Sequence, residues 1–293
     1  AQNALQFYNN NLSKDGTFNY FENMLNHLGK IRKQPSFKKN NYNINLVVAY
    51  RDPGDNSRKN QLDIFIQQMN LILSNYTNLN IFIIEQESER NDYNSLPDTI
   101  QQKDTDFAKF NLGRLKNIGF HLSSEKNHND KTYYILSDVD LLPSYPLVDD
   151  YLKFPKSLTH LGNKGTRYEQ SDDKNQSFLG GVFSVTKETF EKCNGYPNNF
   201  WGWGGEDDVF RNRMKENKQK IDKPQNPVID LEEHTEIKEK TDDLWEKDML
   251  MKKELRKSKK QKDKSSWKEN GLSNIKDSFE LLSDSNYNDL NNV

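Results

Sequence analysis

The densest chemistry in the chain lies between Asn194 and Asp208, which reads Asn-Gly-Tyr-Pro-Asn-Asn-Phe-Trp-Gly-Trp-Gly-Gly-Glu-Asp-Asp. Glycines there interleave with Trp201 and Trp203 and lead into three consecutive acids, Glu206, Asp207 and Asp208. Glycine permits tight turns and close approach of backbone to a ligand. An exposed indole face is a platform for the apolar face of a sugar ring. Carboxylates accept hydrogen bonds from hydroxyls, and one of them can remove a proton. The plainer alternative is a buried tryptophan pair ahead of a helix starting at Glu206, since acids suit the N-terminal end of the helix dipole. Both readings can hold together.

A second acidic group, Asp138-Val139-Asp140, follows the apolar run Tyr133-Tyr134-Ile135-Leu136. At the end of a strand, one carboxylate can take a hard divalent cation while the other reaches a sugar or ribose hydroxyl. Mg²⁺ or Mn²⁺ bridging a diphosphate needs only one or two protein carboxylates. The ion then stabilises charge building on the leaving phosphate. Two aspartates after a strand are also what a solvated turn looks like, and short motifs recur by chance.

Both acidic groups need a scaffold, and the periodicity of the chain supplies one. Residues 44–50, 80–84, 133–136 and 181–185 are short apolar runs that read as buried strands. Leu62, Phe65, Ile66, Met69, Ile72 and Leu73 recur at helical spacing, which predicts an amphipathic helix over 59–74. Further helices are predicted over 18–28, 107–120 and 187–193, and a charged one over 242–264. Residues 155–177, rich in Lys, Gly, Asn and Asp, read as a long loop. Strands alternating with helices predict an α/β fold, a mostly parallel mixed sheet flanked by helices, with right-handed crossovers. Ligands of such sheets sit at the carboxyl ends of strands, where Asp138 and Asp140 stand. The expected organisation is a polar, helical extension over 1–43, a catalytic domain over 44–235, and a helical closing segment over 236–293 packed on it.

Composition narrows the classes of partner. The chain has 293 residues, 33% hydrophobic and 11% aromatic, enough for one large domain with a packed core. Its net charge of -2 offers no global attraction to nucleic acid or anionic lipid. Mean hydropathy is -1.03, and no apolar run approaches the roughly 20 residues of a membrane-spanning helix. Cys193 is the one cysteine, so no intrachain disulfide can form, which fits a reducing compartment. The expectation is a protein with no nucleic-acid partner and no membrane span in this chain, located in the cytoplasm. A lumenal domain cut from its anchor is the alternative.

Several segments resemble the β-1,4-galactosyltransferase family in order and spacing. They are Phe110-Asn111-Leu112-Gly113-Arg114-Leu115-Lys116-Asn117-Ile118-Gly119-Phe120, Asp138 to Pro143, Gly180-Gly181-Val182 and Asn194 to Asp208, with Gly271 to Lys276 similar to a short C-terminal segment. The resemblance runs from about Ile44 to about Leu282. It implies a GT-A fold with a Rossmann-like sheet, and an inverting, Mn²⁺-dependent transfer from a UDP-sugar donor to a glycan or glycosylated acceptor, with Mg²⁺ as the second choice of ion. By similarity Asp140 and His234 are the metal ligands. Leu231 stands near the position of a further family ligand and cannot coordinate, which leaves the gap to Glu232 or water.

The same resemblance assigns the remaining roles. Asp207 is the general base, Glu206 contacts the donor sugar and Asp208 the acceptor. Trp203 belongs to a mobile loop touching donor and acceptor. Asp138, Val139 and Gly181 line the donor side. Ala49-Tyr50-Arg51 is similar to the segment that holds the nucleotide, so that Tyr50 would stack on uracil and Arg51 would pair with phosphate. Leu112 stands where the family usually has Arg, with Arg114 as a candidate substitute. Phe178, a large aromatic, goes with galactose over its N-acetyl derivative. UDP-GalNAc or UDP-glucose remain the alternative donors. A haloacid dehalogenase-type phosphohydrolase also places Asp-x-Asp after a buried strand, but Leu142-Pro143 and the Trp-Gly run do not fit it. A non-catalytic sugar-binding module would not need the intact acid triplet.

Overall fold

The computed structural model describes residues 39–52, 57–86, 110–166, 179–201, 204–231, 257–276 and 278–284. In chain order these form β1 (Asn43–Tyr50), α1 (Ser57–Leu73), β2 (Asn78–Glu85), α2 (Leu112–Lys126), β3 (Thr132–Ser137), β4 (Leu141–Pro143) and α3 (Val148–Tyr151). There follow β5 (Leu158–Thr159), β6 (Val182–Val185), α4 (Lys187–Lys192), α5 (Glu206–Glu216), β7 (Ile221–Asp222) and β8 (Val228–Asp230). Residues 257–266 are helical and are here α6.

The main sheet has the order β2-β1-β3-β6-β5-β7. β1 runs parallel to β2 and β3, and β7 parallel to β5, while β6 is antiparallel to both of its neighbours. The sheet is therefore mixed and mostly parallel, as expected, with β6 as its one reversed strand. That reversal has a consequence for the site. Because Val182 at the start of β6 lies opposite Ser137 at the end of β3, the Gly180-Gly181 turn comes to stand beside Asp138.

Alternation along each strand divides the core between the two faces of the sheet. Ile44, Leu46, Val48, Tyr133 and Ile135 pack with Phe65 and Met69 of α1. Val47, Tyr134, Leu136, Phe183 and Val185 pack on the other face with Phe120, Phe190, Phe210 and Met214 from α2, α4 and α5. Asn45 is the polar exception inside β1. Its amide donates to the carbonyls of Ser123 (3.1 Å) and Asn127 (2.8 Å) at the end of α2, and its oxygen accepts from Asn80 at 3.1 Å. The buried amide is thereby satisfied, and it ties α2 to the sheet.

The helix expected over 107–120 begins instead at Leu112, because Asn111 caps it by accepting from the Arg114 N–H, and it continues to Lys126. The stretch 155–177 is not one loop. It contains β5 and a 3-10 turn at Leu161–Asn163, pieces too short to give a periodic signal. Residues 18–28, 107–109, 167–177 and most of 242–264 lie outside the described residues.

Candidate active site

β3 delivers Asp138 to the carboxyl edge of the sheet and pins it there. The Asp138 N–H donates to Gly181 O at 3.0 Å, and the Ser137 hydroxyl donates to Asp138 O at 3.0 Å. The chain then turns into β4, which pairs with β8, and the Leu231 N–H closes that corner on Asp140 O at 2.8 Å. Two residues apart, the aspartates would share a face of a continuing strand; they part because β3 ends at Ser137 and the chain turns at Val139–Asp140. Asp138 remains partly exposed and accepts from Lys116 Nζ at 2.7 Å. Asp140 is buried, and its Oδ2 accepts from Arg58 of α1 at 3.3 Å.

The second acidic group opens α5. Gly204 and Gly205 take φ values of 88° and 104°, a left-handed entry that a side chain would resist. It turns the chain abruptly so that Glu206, Asp207 and Asp208 occupy the first turn, where the helix dipole favours carboxylates. Successive helical residues point in different directions, and the three acids accordingly meet different partners. Glu206 is buried, and its Oε2 has no hydrogen-bond partner among the described residues. Asp207 Oδ1 accepts from the Tyr196 hydroxyl at 3.4 Å. Asp208 forms an ion pair with Lys260 of α6.

Asparagines hold the preceding loop in place. Asn117 of α2 donates to Tyr196 O (2.8 Å) and accepts from the Tyr196 N–H (2.9 Å), and Asn111 donates to Asn198 O at 2.8 Å. From the other side Arg213, fully buried on α5, donates to Asn194 O, Gly195 O and Asn270 O and forms a two-bond pair with Asp263 of α6. One guanidinium thus ties α6, the loop and α5 together.

Electrostatics show that the two acidic groups meet. Burial opposes the charge of Lys116, yet Asp138, Asp207 and Glu206 outweigh it and raise its pKa. Burial pushes the Asp207 carboxyl well above the usual range, Glu206 adding to it, and Lys116 works against the rise. Glu206 is raised as well, again by burial first. Asp138 thus holds the Lys116 ammonium directly, Asp207 and Glu206 act on it through space, and Tyr196, whose ring centroid lies 5.8 Å from Lys116 Nζ, donates its hydroxyl to Asp207.

Other expected residues are placed as follows. Arg51 is half-buried directly after β1. Tyr50 and Val139 are 5% and 6% exposed and belong to the core on the α1 face, so both side chains serve packing and the expected ring stacking of Tyr50 would need that core to open. Gly181 stands beside Asp138. Arg114 makes no ion pair among the described residues; the cation that α2 carries into the site is Lys116. Phe178, Trp203 and His234 lie outside the described residues.

A hard cation fits what is present. Asp140 is a buried oxygen donor whose carboxylate already draws a positive side chain, Arg58, and carboxylates suit Mn²⁺ and Mg²⁺. Among the described residues no group of three or more His, Cys, Asp or Glu could hold a metal. No described helix is long and apolar enough to cross a membrane.

The sequence reading assigned no role to Lys116, Arg58, Tyr196 or Lys260. Lys116 carried a signal: Gly113, Lys116, Asn117 and Phe120 follow the i, i+3, i+4, i+7 stripe of a core-facing helix and all are buried. A lysine on such a stripe requires a buried anion. Arg58 and Lys260 carried none, since each reaches its aspartate from a distant element.

A family model described as the N-terminal domain of galactosyltransferase matches residues 164–240. β-1,4-Galactosyltransferase 4 of Cricetulus griseus is 39% identical over 130 residues, 43% of this chain and 35% of that protein. β-1,4-Galactosyltransferase 7 of Drosophila melanogaster is 36% identical over 122 residues, 41% of this chain and 35% of that protein. The match spans about a third of the length of these curated relatives. Among solved structures, a mutant of the Drosophila β-1,4-galactosyltransferase 7 in complex with manganese, UDP-Gal and xylobiose matches with a TM-score of 0.48 and 26% identity, covering 66% of this chain and 68% of that one.

Proposed function

The chain belongs to the β-1,4-galactosyltransferase family, and we propose that it transfers galactose, with inversion, from UDP-galactose to a hydroxyl of a glycan or glycosylated acceptor in a Mn²⁺-dependent reaction. The observation that carries this reading is the meeting of Asp138, Glu206 and Asp207 around Lys116 at the carboxyl edge of the sheet. Two acidic groups far apart in sequence are thereby brought near one another, which supports a site where a sugar is flanked by a diphosphate and an attacking hydroxyl. We take residues 44–235 as the catalytic unit and 236–293 as the segment that closes on it.

In this reading Asp140 and His234 hold the cation, which when bound offsets charge developing on the departing diphosphate. Arg51 faces the phosphates. Asp138, the Val139 backbone, Gly181 and Glu206 receive the sugar, and Phe178 sets its identity. Asp208 and Trp203 face the acceptor. The acceptor oxygen attacks the anomeric carbon from the face opposite UDP, the bond to the diphosphate oxygen breaks, and the hydroxyl proton passes to Asp207. A general base contributes about 10²–10⁴-fold when its proton affinity approaches the working pH, and burial beside Glu206 moves Asp207 in that direction. Trp203 closing over the donor would exclude water that otherwise hydrolyses it.

A screen of UDP-sugars against simple glycosides in Mn²⁺, read by UDP release, tests the reading. UDP-galactose should be preferred. Asp207→Asn should lose transfer and keep UDP binding. Turnover like wild type in that variant would remove Asp207 from its role, and preference for UDP-GalNAc or UDP-glucose would replace the donor.

A further inference from the structure

Tyr196 is fully buried, and its ring joins Phe183, Phe190 and Phe210 on the α2 face of the sheet. A phenylalanine would fill that space as well. A buried phenol adds a hydroxyl that must find a partner, and this one donates to Asp207 Oδ1 at 3.4 Å. Among the described residues Tyr196 is the one side chain that donates to Asp207. Its surroundings leave the hydroxyl little freedom. Asn117 of α2 accepts from the Tyr196 N–H at 2.9 Å and donates to its carbonyl at 2.8 Å. Gly113 lies so close that a Cβ there would meet Tyr196 Cβ at 3.0 Å. The ring stacks on Phe210, with centroids 4.8 Å apart and planes at 30°. Phe210 stands three residues beyond Asp207 on α5, and residues so spaced are neighbours on a helix surface. A ring laid along Phe210 is therefore aimed at Asp207.

We propose that Tyr196 is a positioning residue for proton transfer, its hydroxyl holding one oxygen of Asp207 so that the carboxylate keeps a fixed rotation. The inference rests on the reading of Asp207 as the base and deepens it. The charged and titratable groups around Asp207 are Glu206 and Asp208 on α5, Asp138 at the end of β3, Lys116 on α2 and Tyr196 on the loop before α5. Lys260 of α6 is paired with Asp208. Glu206, Asp138 and Asp208 oppose the Asp207 charge, and Lys116 favours it. A hydrogen bond donated to a carboxylate also favours the charged form, so the phenol acts in the same direction as the lysine while fixing an oxygen that the more distant ammonium does not touch.

The test is the pH profile of UDP release from UDP-galactose in Mn²⁺, in wild type, Tyr196→Phe, Asp207→Asn and the double variant. The acceptor is the better of p-nitrophenyl β-xyloside and p-nitrophenyl β-N-acetylglucosaminide. A bond of 3.4 Å is long for a hydroxyl and a carboxylate, which sets its effect at about three- to tenfold. Without the phenol the ionised carboxylate is disfavoured, so the acid limb of kcat/KM should move up by about 0.5–1 pH unit. On the plateau kcat should fall by about threefold or more, with the UDP-galactose KM within about twofold. Either effect missing, or a loss carried by KM, overturns the proposal. The double variant should be no slower than Asp207→Asn alone, since both changes act on one group, and a further loss overturns the proposal as well. Should Tyr196→Phe not fold, 3-fluorotyrosine placed at position 196 keeps the ring and makes the hydroxyl a stronger donor. It should move the acid limb down, and an unmoved limb overturns the proposal. Wild type without UDP release, or Asp207→Asn with turnover like wild type, would take down the underlying reading together with this one. An inactive Asp207→Asn beside an unmoved limb in Tyr196→Phe defeats this inference alone.

Discussion

Replacing Asp263 with alanine would strand a guanidinium inside the protein. Arg213 is 1% exposed and Asp263 7%, and their two bonds are 3.1 Å (Nε to Oδ2) and 2.6 Å (Nη2 to Oδ1). Once the carboxylate is gone, Arg213 retains three carbonyl acceptors, those of Asn194, Gly195 and Asn270. These keep its hydrogen bonds largely satisfied but supply no counter-charge. Breaking a buried ion pair by removing one partner costs about 3–5 kcal/mol, and the three carbonyls argue for the lower end, about 3 kcal/mol. That is a large fraction of the roughly 5–15 kcal/mol net stability of a domain. Urea unfolding at neutral pH measures it. The double variant Arg213→Met with Asp263→Leu should recover much of the loss, because a neutral, packed pair carries no unpaired charge. A loss below about 1 kcal/mol for Asp263→Ala, or a double variant as unstable as the single one, would refute the reasoning and show that Arg213 does not depend on α6.

Three further outcomes follow from the same structure. Because burial and Glu206 raise the Asp207 pKa above its ordinary 3.8, and Asp207 must be ionised to act as the base proposed above, kcat/KM should fall with acidification at a pH above the usual carboxylate range; a limb at or below that range would contradict it. The same shift has the opposite sign for stability, since between 3.8 and the raised value the folded state holds a proton that the unfolded chain has lost, so this group weakens the fold as pH rises. His160, buried with its Nε2 3.0 Å from Gly180 O, has its pKa lowered from 6.5 to about 4 by burial. The unfolded chain therefore takes the proton first, and stability is lost as pH falls from 6.5 toward 4, by roughly 3 kcal/mol; urea midpoints across that window should flatten in His160→Gln relative to wild type. Gly181→Ala, forced to φ 77° against Leu141, should cost about 1–3 kcal/mol in urea unfolding and raise the donor KM, and an unaffected KM would detach the turn from the donor.

How far these features were legible varies with the physics that sets them. β1 and β3 announced themselves because strands covered on both faces must be nearly continuous apolar runs, as Leu46-Val47-Val48 is, whereas β2, a partly buried edge strand, stood out by its Ile81-Phe82-Ile83-Ile84 run alone. The reversal of β6 left no local mark, because four residues pair equally well in either direction and only the neighbours decide. β5, β7 and β8 have two or three residues each, fewer than a period-two pattern can reveal. In the candidate site, the Asp138–Asp140 pair and the Glu206–Asp208 triplet stood out by composition and spacing, and the family resemblance singled out Asp138 and Asp207 within them. Lys116 was readable from its helical register but passes for a solvated residue unless the stripe is followed. The Arg58–Asp140 and Lys260–Asp208 pairs join segments far apart in the chain, and no local rule foretells such pairs.

The central claim is that the carboxylates at the tip of β3 and those opening α5 serve one nucleotide-sugar cleft with divided labour. It is tested most directly by measuring UDP affinity with and without Mn²⁺, alongside UDP-galactose turnover, in wild type, Asp140→Ala and Asp207→Asn. The account predicts that Asp140→Ala loses the Mn²⁺ enhancement of UDP binding, and that Asp207→Asn keeps it and loses turnover. Mn²⁺-enhanced UDP binding surviving in Asp140→Ala together with turnover surviving in Asp207→Asn would contradict it.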